Sequence, residues 1–94
     1  MMAAMDNEFE NRVLKFPTSF PLKVIGHNED DFETYVVRLV ARHVPYLDSG
    51  NVSSRESSQG KYLSVTLTFI AESRAQVDAI YMDLTASERV VFVL

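Results

Sequence analysis

Residues 61–71 read KYLSVTLTFIA, and within them Leu63, Val65, Leu67 and Phe69 alternate with Tyr62, Ser64, Thr66, Thr68 and Ile70. Alternation of period two over β-branched and aromatic residues marks a strand with one face against a core. The spacing predicts a central strand. Just upstream, Ser58-Gln59-Gly60 supplies the glycine that a short hairpin needs at positive φ. Asn51 to Ser57 is polar and rich in small residues, as expected of an edge strand, with Arg55 and Glu56 blunting the edge. Downstream, Ser73-Arg74-Ala75-Gln76 is a capping box, followed by a helix whose stripe is Val77, Ile80, Tyr81 and Leu84, as far as Ala86-Ser87. Arg89 to Leu94, RVVFVL, is a continuous apolar run and is expected to lie inside a sheet.

Toward the N-terminus, Phe16-Pro17 biases the chain to extended geometry, and Phe20, Leu22 and Val24 then alternate with Pro21, Lys23 and Ile25. This predicts a first strand from Thr18 to Gly26. Gly26-His27-Asn28 reads as a turn, and Asn28 or Asp30 is expected to cap a helix whose first turn carries Glu29, Asp30 and Asp31, charges that suit a positive helix end. Phe32, Tyr35, Val36, Leu39, Val40 and His43 fall on one helical stripe, and Pro45 prevents continuation. The predicted order is βαββαβ. Right-handed crossovers then give an α+β, ferredoxin-like fold: a four-stranded antiparallel sheet, first and third strands central, with two helices on one face. Residues 16–94 form the single domain and residues 1–15 are expected to be a flexible N-terminal tail.

Size and composition agree with one domain. The 94 residues, 10.7 kDa, expose about 15,500 Å² unfolded and about 5,500 Å² folded, enough burial for one core. At 47% apolar and 23% charged the chain has globular proportions, and no apolar run approaches the length of a membrane span. The absence of cysteine removes disulfides, thiolate nucleophiles and zinc ribbons together. A net charge of −4 opposes phosphate neutralisation, so no nucleic-acid partner is expected. The first fifteen residues lack a secretory signal pattern, which makes the cytoplasm the expected location.

Several of these stretches resemble one family. Phe16-Pro17, Phe20, Lys23-Val24 and Gly26, then Ser58-Gln59-Gly60-Lys61-Tyr62 with Ser64-Val65-Thr66, then Gln76-Val77 with Ile80-Tyr81 and Leu84 resemble the YbeD-like family of small bacterial proteins over roughly residues 14–94. The resemblance implies a ferredoxin-like fold similar to the small-molecule-sensing ACT domains, and it implies no activity and no cofactor. Its motifs are turns and core and identify no chemistry, and because the acidic N-terminal tail is longer than the family implies, nothing is carried over to residues 1–13.

The constellations that could hold chemistry are few. His27 with Asn28, Glu29, Asp30 and Asp31 is the densest cluster of potential ligands, but first-turn acids on a helix are the simpler account, and His43 suits a helix C-terminus. The two histidines stand about 24 Å apart along one helix and cannot share a metal. No metal site is expected. The loop after the first strand has no arginine to hold a phosphate, no P-loop, G-x-S-x-G or H-E-x-x-H is present, and Ser53, Ser54, Ser57 and Ser58 read as solvated strand residues. Residues 60–65 match the RNA-recognition signature only loosely. No catalytic residue is therefore predicted.

Two binding regions remain. With Leu22, Val24, Leu63, Val65, Leu67 and Phe69 toward the helices, the other face gathers Lys23, Ile25, Tyr62, Ser64, Thr66, Thr68, Ile70 and one set from Val90 to Leu94. Half of that face is apolar, which suits a docking surface for another protein or a second copy in a weak homodimer. The second region is the loop Gly26, His27, Asn28 and Glu29, where an ACT-like sensor would hold a neutral or zwitterionic ligand of amino-acid type, because the adjoining acids oppose an anion. The leading expectation is a regulatory or protein-interaction module without catalysis, and the sensor is the alternative.

Overall fold

Six main elements follow one another in the computed structural model, which describes residues 15–94. They are β1 (Thr18–His27), α1 (Phe32–Ala41), β2 (Val52–Glu56), β3 (Tyr62–Ala71), α2 (Arg74–Thr85) and β4 (Val90–Val93), with a 3-10 turn at Ser49–Asn51 leading into β2. The sheet order is β2-β3-β1-β4 and every neighbouring pair is antiparallel. β1 and β3 are therefore the central strands, as the alternation predicts. They pair residue for residue from Thr18 opposite Ala71 to His27 opposite Tyr62. The hairpin glycine, Gly60, has φ 72°, in the left-handed region that its lack of a Cβ permits.

Alternation along these two strands decides what each face holds. Leu22, Val24, Val65, Leu67 and Phe69 point to one side and form a single buried cluster with Phe32, Val36 and Val40 of α1 and Val77, Ile80 and Leu84 of α2. Both helices thus cover the same face. Each fully buried aliphatic or aromatic side chain contributes about 1.5–3 kcal/mol, and the cluster is free of buried polar or charged residues among those described. The expected tail, residues 1–15, lies outside the described residues apart from Lys15. Among the described residues no helix is long and apolar enough to cross a membrane.

Four local expectations are corrected. The run RVVFVL does not lie inside the sheet: β4 is an edge strand with Val91, Phe92 and Leu94 about half exposed. The reason is topological, since β3 already holds the other side of β1, so a chain returning from α2 can pair only along the remaining edge. Neither Asn28 nor Asp30 caps α1. The N-cap is Asp31, which makes no side-chain cap bond, and α1 stops at Ala41, short of His43. Both helices end before their predicted limits, with α1 at 10 residues and α2 at 12, while β1 and β3 reach 10 residues each. The capping box is modified too. The Gln76 amide donates to Ser73 Oγ as expected (3.1 Å), but Gln76 Oε1 accepts from the Glu72 amide (2.7 Å) and Gln76 Nε2 donates to the His43 carbonyl (2.8 Å). One side chain thereby ties the start of α2 to the end of α1.

Candidate functional site

The expected turn at Gly26-His27-Asn28 is corrected, because pairing with β3 carries β1 on through His27, and the segment Gly26–Glu29 is held by its own chain. The Asn28 amide donates to the Lys61 carbonyl (3.0 Å) and its side-chain Nδ2 to the Gly60 carbonyl (2.9 Å), which fastens the loop to the β2–β3 hairpin. His27 lays its ring against Tyr62, with centroids 5.4 Å apart. Gly26 has no Cβ because a Cβ would stand 2.5 Å from both the Arg89 carbonyl oxygen and Phe32 Cε1. The close approach that the sequence suggested for a ligand is made by the protein's own Phe32 and β4. A ligand at Gly26–Glu29 would have to displace these contacts. Among the described residues no group of three His, Asp or Glu is arranged to hold a metal ion.

The acids of this loop meet a partner that local reading missed. Arg89 places its guanidinium on Asp31 through two hydrogen bonds, 2.7 and 3.3 Å, and on Glu29 at 2.9 Å. Its Cζ lies 4.4 Å from the Tyr35 ring centroid and 5.9 Å from that of Phe32, a cation stacked on aromatic faces. The Tyr35 hydroxyl bonds Ser87 Oγ at 2.6 Å, and Ser87 Oγ also accepts from the Arg89 amide (3.2 Å). Arg89 Nε is buried without a hydrogen-bond partner among the described residues. Hydrogen bonds from Arg89 hold the Asp31 carboxyl below the usual carboxylate range, and the same contacts strengthen the hold of Arg89 on its proton. The simple pairing of first-turn acids with the helix end is thus replaced by an ion-pair cluster joining α1 to the start of β4. The signal lay in topology, because an antiparallel β4 beside β1 must begin where β1 ends.

A second such tie closes the other end of the helix layer. His43 Nε2 lies 2.6 Å from Asp83 Oδ2, so the histidine expected to suit a helix end instead bridges α1 to α2. It leaves that ring nitrogen engaged and is a structural contact between helices.

The open face of the sheet is built differently. Register places Arg55, Ser64, Ile25 and Phe92 side by side across all four strands, and Ser53, Thr66 and Lys23 in the next row, where Leu94 continues the line through backbone hydrogen bonds with Lys23 (2.8 and 3.3 Å). Tyr62 lies opposite His27 in the row beyond, with Lys61 Nζ 5.5 Å from its ring centroid, while Thr68 and Ile70 carry the face toward the far end of β3. All seven residues expected on this face are on it. Phe92 and Leu94 join them because the pairing slips between Ile25 and Gly26, which leaves Val91 as a one-residue bulge. Phe92, Leu94 and Ile70 are each 55% exposed.

Lys23, Ile25, Arg55, Tyr62, Ser64 and Leu94 surround a shallow depression of about 420 Å³ on this face. A larger one, about 500 Å³, lies at the far end of the sheet between Val44, Tyr46, Ile70 and Gln76. There the Gln76 side-chain amide is already engaged by Glu72 and His43, and the charged side chains are the acids Asp48 and Glu72. The smaller depression is the one flanked by cations, Lys23 and Arg55, that have no ion-pair partner among the described residues, and its chemistry makes it the better candidate.

Comparison with known proteins agrees with this fold. A family model described as "Protein of unknown function (DUF493)" matches residues 11–94. A UPF0250 protein of Chromobacterium violaceum is 40% identical over 85 residues, covering 90% of this chain and 96% of the relative. One from Hahella chejuensis is 35% identical over 89 residues, covering 95% and 98%. Among solved structures, protein HP0495 from H. pylori superposes with a TM-score of 0.68 at 16% identity, over 86% of this chain and 85% of that one, a likeness of fold. Matched along nearly its whole described length, the chain belongs to the DUF493 family, the UPF0250 or YbeD-like proteins of bacteria.

Proposed function

We propose that this chain is a non-catalytic interaction module that docks a partner protein on the open face of its sheet. One observation carries the reading: Ile25, Tyr62, Phe92 and Leu94 lie on the face away from both helices, while the core is filled by other residues. Apolar groups left in water cost stability unless something covers them, and antiparallel sheets commonly leave one face free for that purpose. His43, Glu29 and Asp31 are engaged in contacts that join helices and loops, and His27 lies against Tyr62.

Affinity capture from native lysate tests the proposal when run with three proteins: wild type, Phe92→Ser/Leu94→Ser, and Met82→Asp, which alters an exposed position on α2. Proteins retained by wild type and Met82→Asp are expected to be lost from the double variant, whose melting temperature stays close to wild type. The same captured set on all three would overturn the reading.

A further inference from the structure

We infer that the partner docked on the open sheet face presents an acidic segment, carboxylates flanking an aliphatic or aromatic side chain. The inference rests on the docking reading above and adds the chemistry of the partner. Charge is distributed unevenly over this acidic chain. The ion pairs among the described residues, Arg89 with Asp31 and Glu29 and Arg74 with Asp78, and the hydrogen bond between His43 and Asp83 all lie with the helices and their flanking loops. On the open face, Lys23 and Arg55 flank the 420 Å³ depression and neither has an ion-pair partner among the described residues. Lys61 adds a third cation over the edge of Tyr62. Glu56 is the one carboxylate side chain lining the depression, and its place opposite Leu63 in the strand alternation belongs to the helix side.

Two cations without an ion-pair partner among the described residues, beside a floor of Ile25, Ser64 and Leu94, ask for opposite charge next to apolar surface. A small carboxylic acid would fill little of so shallow a depression and leave Phe92 uncovered. A protein segment covers both. Single-stranded nucleic acid fits less well, because binding there depends on several stacking platforms, and here Tyr62 is already partly covered by His27 while the neighbours Ile25 and Leu94 are aliphatic.

The probes are a short synthetic peptide alternating glutamate with leucine, its lysine-for-glutamate counterpart, and a short oligothymidylate, each titrated into the full chain while amide chemical shifts are followed. The acidic peptide is expected to move the amides of Lys23, Ile25, Arg55 and Tyr62, to bind more weakly as salt rises, and to lose about tenfold in affinity in Lys23→Glu/Arg55→Glu. The lysine peptide should leave those amides in place. Equal binding of both peptides, no shift at those amides, or a stronger response to oligothymidylate overturns the acidic-segment assignment. Lysate capture separates the two claims. If retained proteins depend on Phe92 and Leu94 yet survive Lys23→Glu/Arg55→Glu, docking stands and the acidic partner falls; if they ignore Phe92 and Leu94 while the acidic peptide still binds as expected, the docking reading alone fails.

Discussion

One sheet presents two faces made from the same two central strands, and they differ in almost every physical respect. Toward the helices, Leu22, Val24, Val65, Leu67 and Phe69 are neutral, nearly inaccessible and interlocked with six helix residues. One residue along each strand, Lys23, Ile25, Ser64, Thr66 and Thr68 face outward, mixed in polarity, and Lys23 has no ion-pair partner among the described residues. The helix side carries the ion pairs that hold its elements together, Arg89 with Asp31 and Glu29 and Arg74 with Asp78, and the hydrogen bond of His43 to Asp83. The contrast teaches that stability is concentrated on one side of the sheet and that the other side is free to recognise something else.

The sharpest way to break the comparison is to place the same charge on adjacent residues of β3. Val65→Asp buries an unpaired carboxylate among Leu22, Val36 and their neighbours, at a cost of several kcal/mol against a total of about 5–14 kcal/mol for 94 residues. Thr66→Asp points the carboxylate to the open face, directly across from Lys23, and the change should stay within about 1 kcal/mol. Urea unfolding measures both. Comparable destabilisation by the two would mean that the faces are not distinct.

A smaller effect is expected where the two sides meet. Gly26 lies between β4 and the Phe32 ring, so Gly26→Ala forces a methyl against the Arg89 carbonyl, which is backbone and cannot swing away. Overpacking of this kind costs about 1–3 kcal/mol. Thermal melting of the variant should show a loss in that range, and an unchanged melting temperature would show that β4 is free to shift.

Much of this architecture was legible because its signals are local. The period-two run of residues 62–71 assigns both faces of β3 without knowledge of any partner, and pairing with β1 then assigns Lys23 and Ile25. The stripes Phe32, Val36, Val40 and Val77, Ile80, Leu84 set the helix orientations in the same way. What escaped depends on which distant residues meet. RVVFVL has no alternation, so nothing in it tells Val91 from Phe92, and the bulge at Val91 changes which of them faces out. Asn28 reads as a helix cap until the hairpin arrives 32 residues later and takes its side chain. Arg89 follows the acids by 58 residues, and the ion-pair cluster exists only after β4 has docked on β1.

That cluster supplies the smallest of the expected effects and one with a definite direction in pH. Because Arg89 lowers the pKa of the folded Asp31 carboxyl below its unfolded value, the unfolded chain takes up the proton first as the solution is acidified. The contact therefore adds stability that is fully present above the unfolded value and is lost as the pH falls through the lowered folded one. Asp31→Asn should melt below wild type at neutral pH, and the gap should close in acid as wild-type Asp31 becomes neutral. Lys23→Ser, which removes an unpaired charge from the open face, should show no such closing gap over the same range. Melting curves across the acid range decide the matter: a gap for Asp31→Asn that is independent of pH would mean that Arg89 is held by its stacking on Tyr35 and not by the carboxylate, and the matched charges of the helix side would then resemble the unmatched ones opposite.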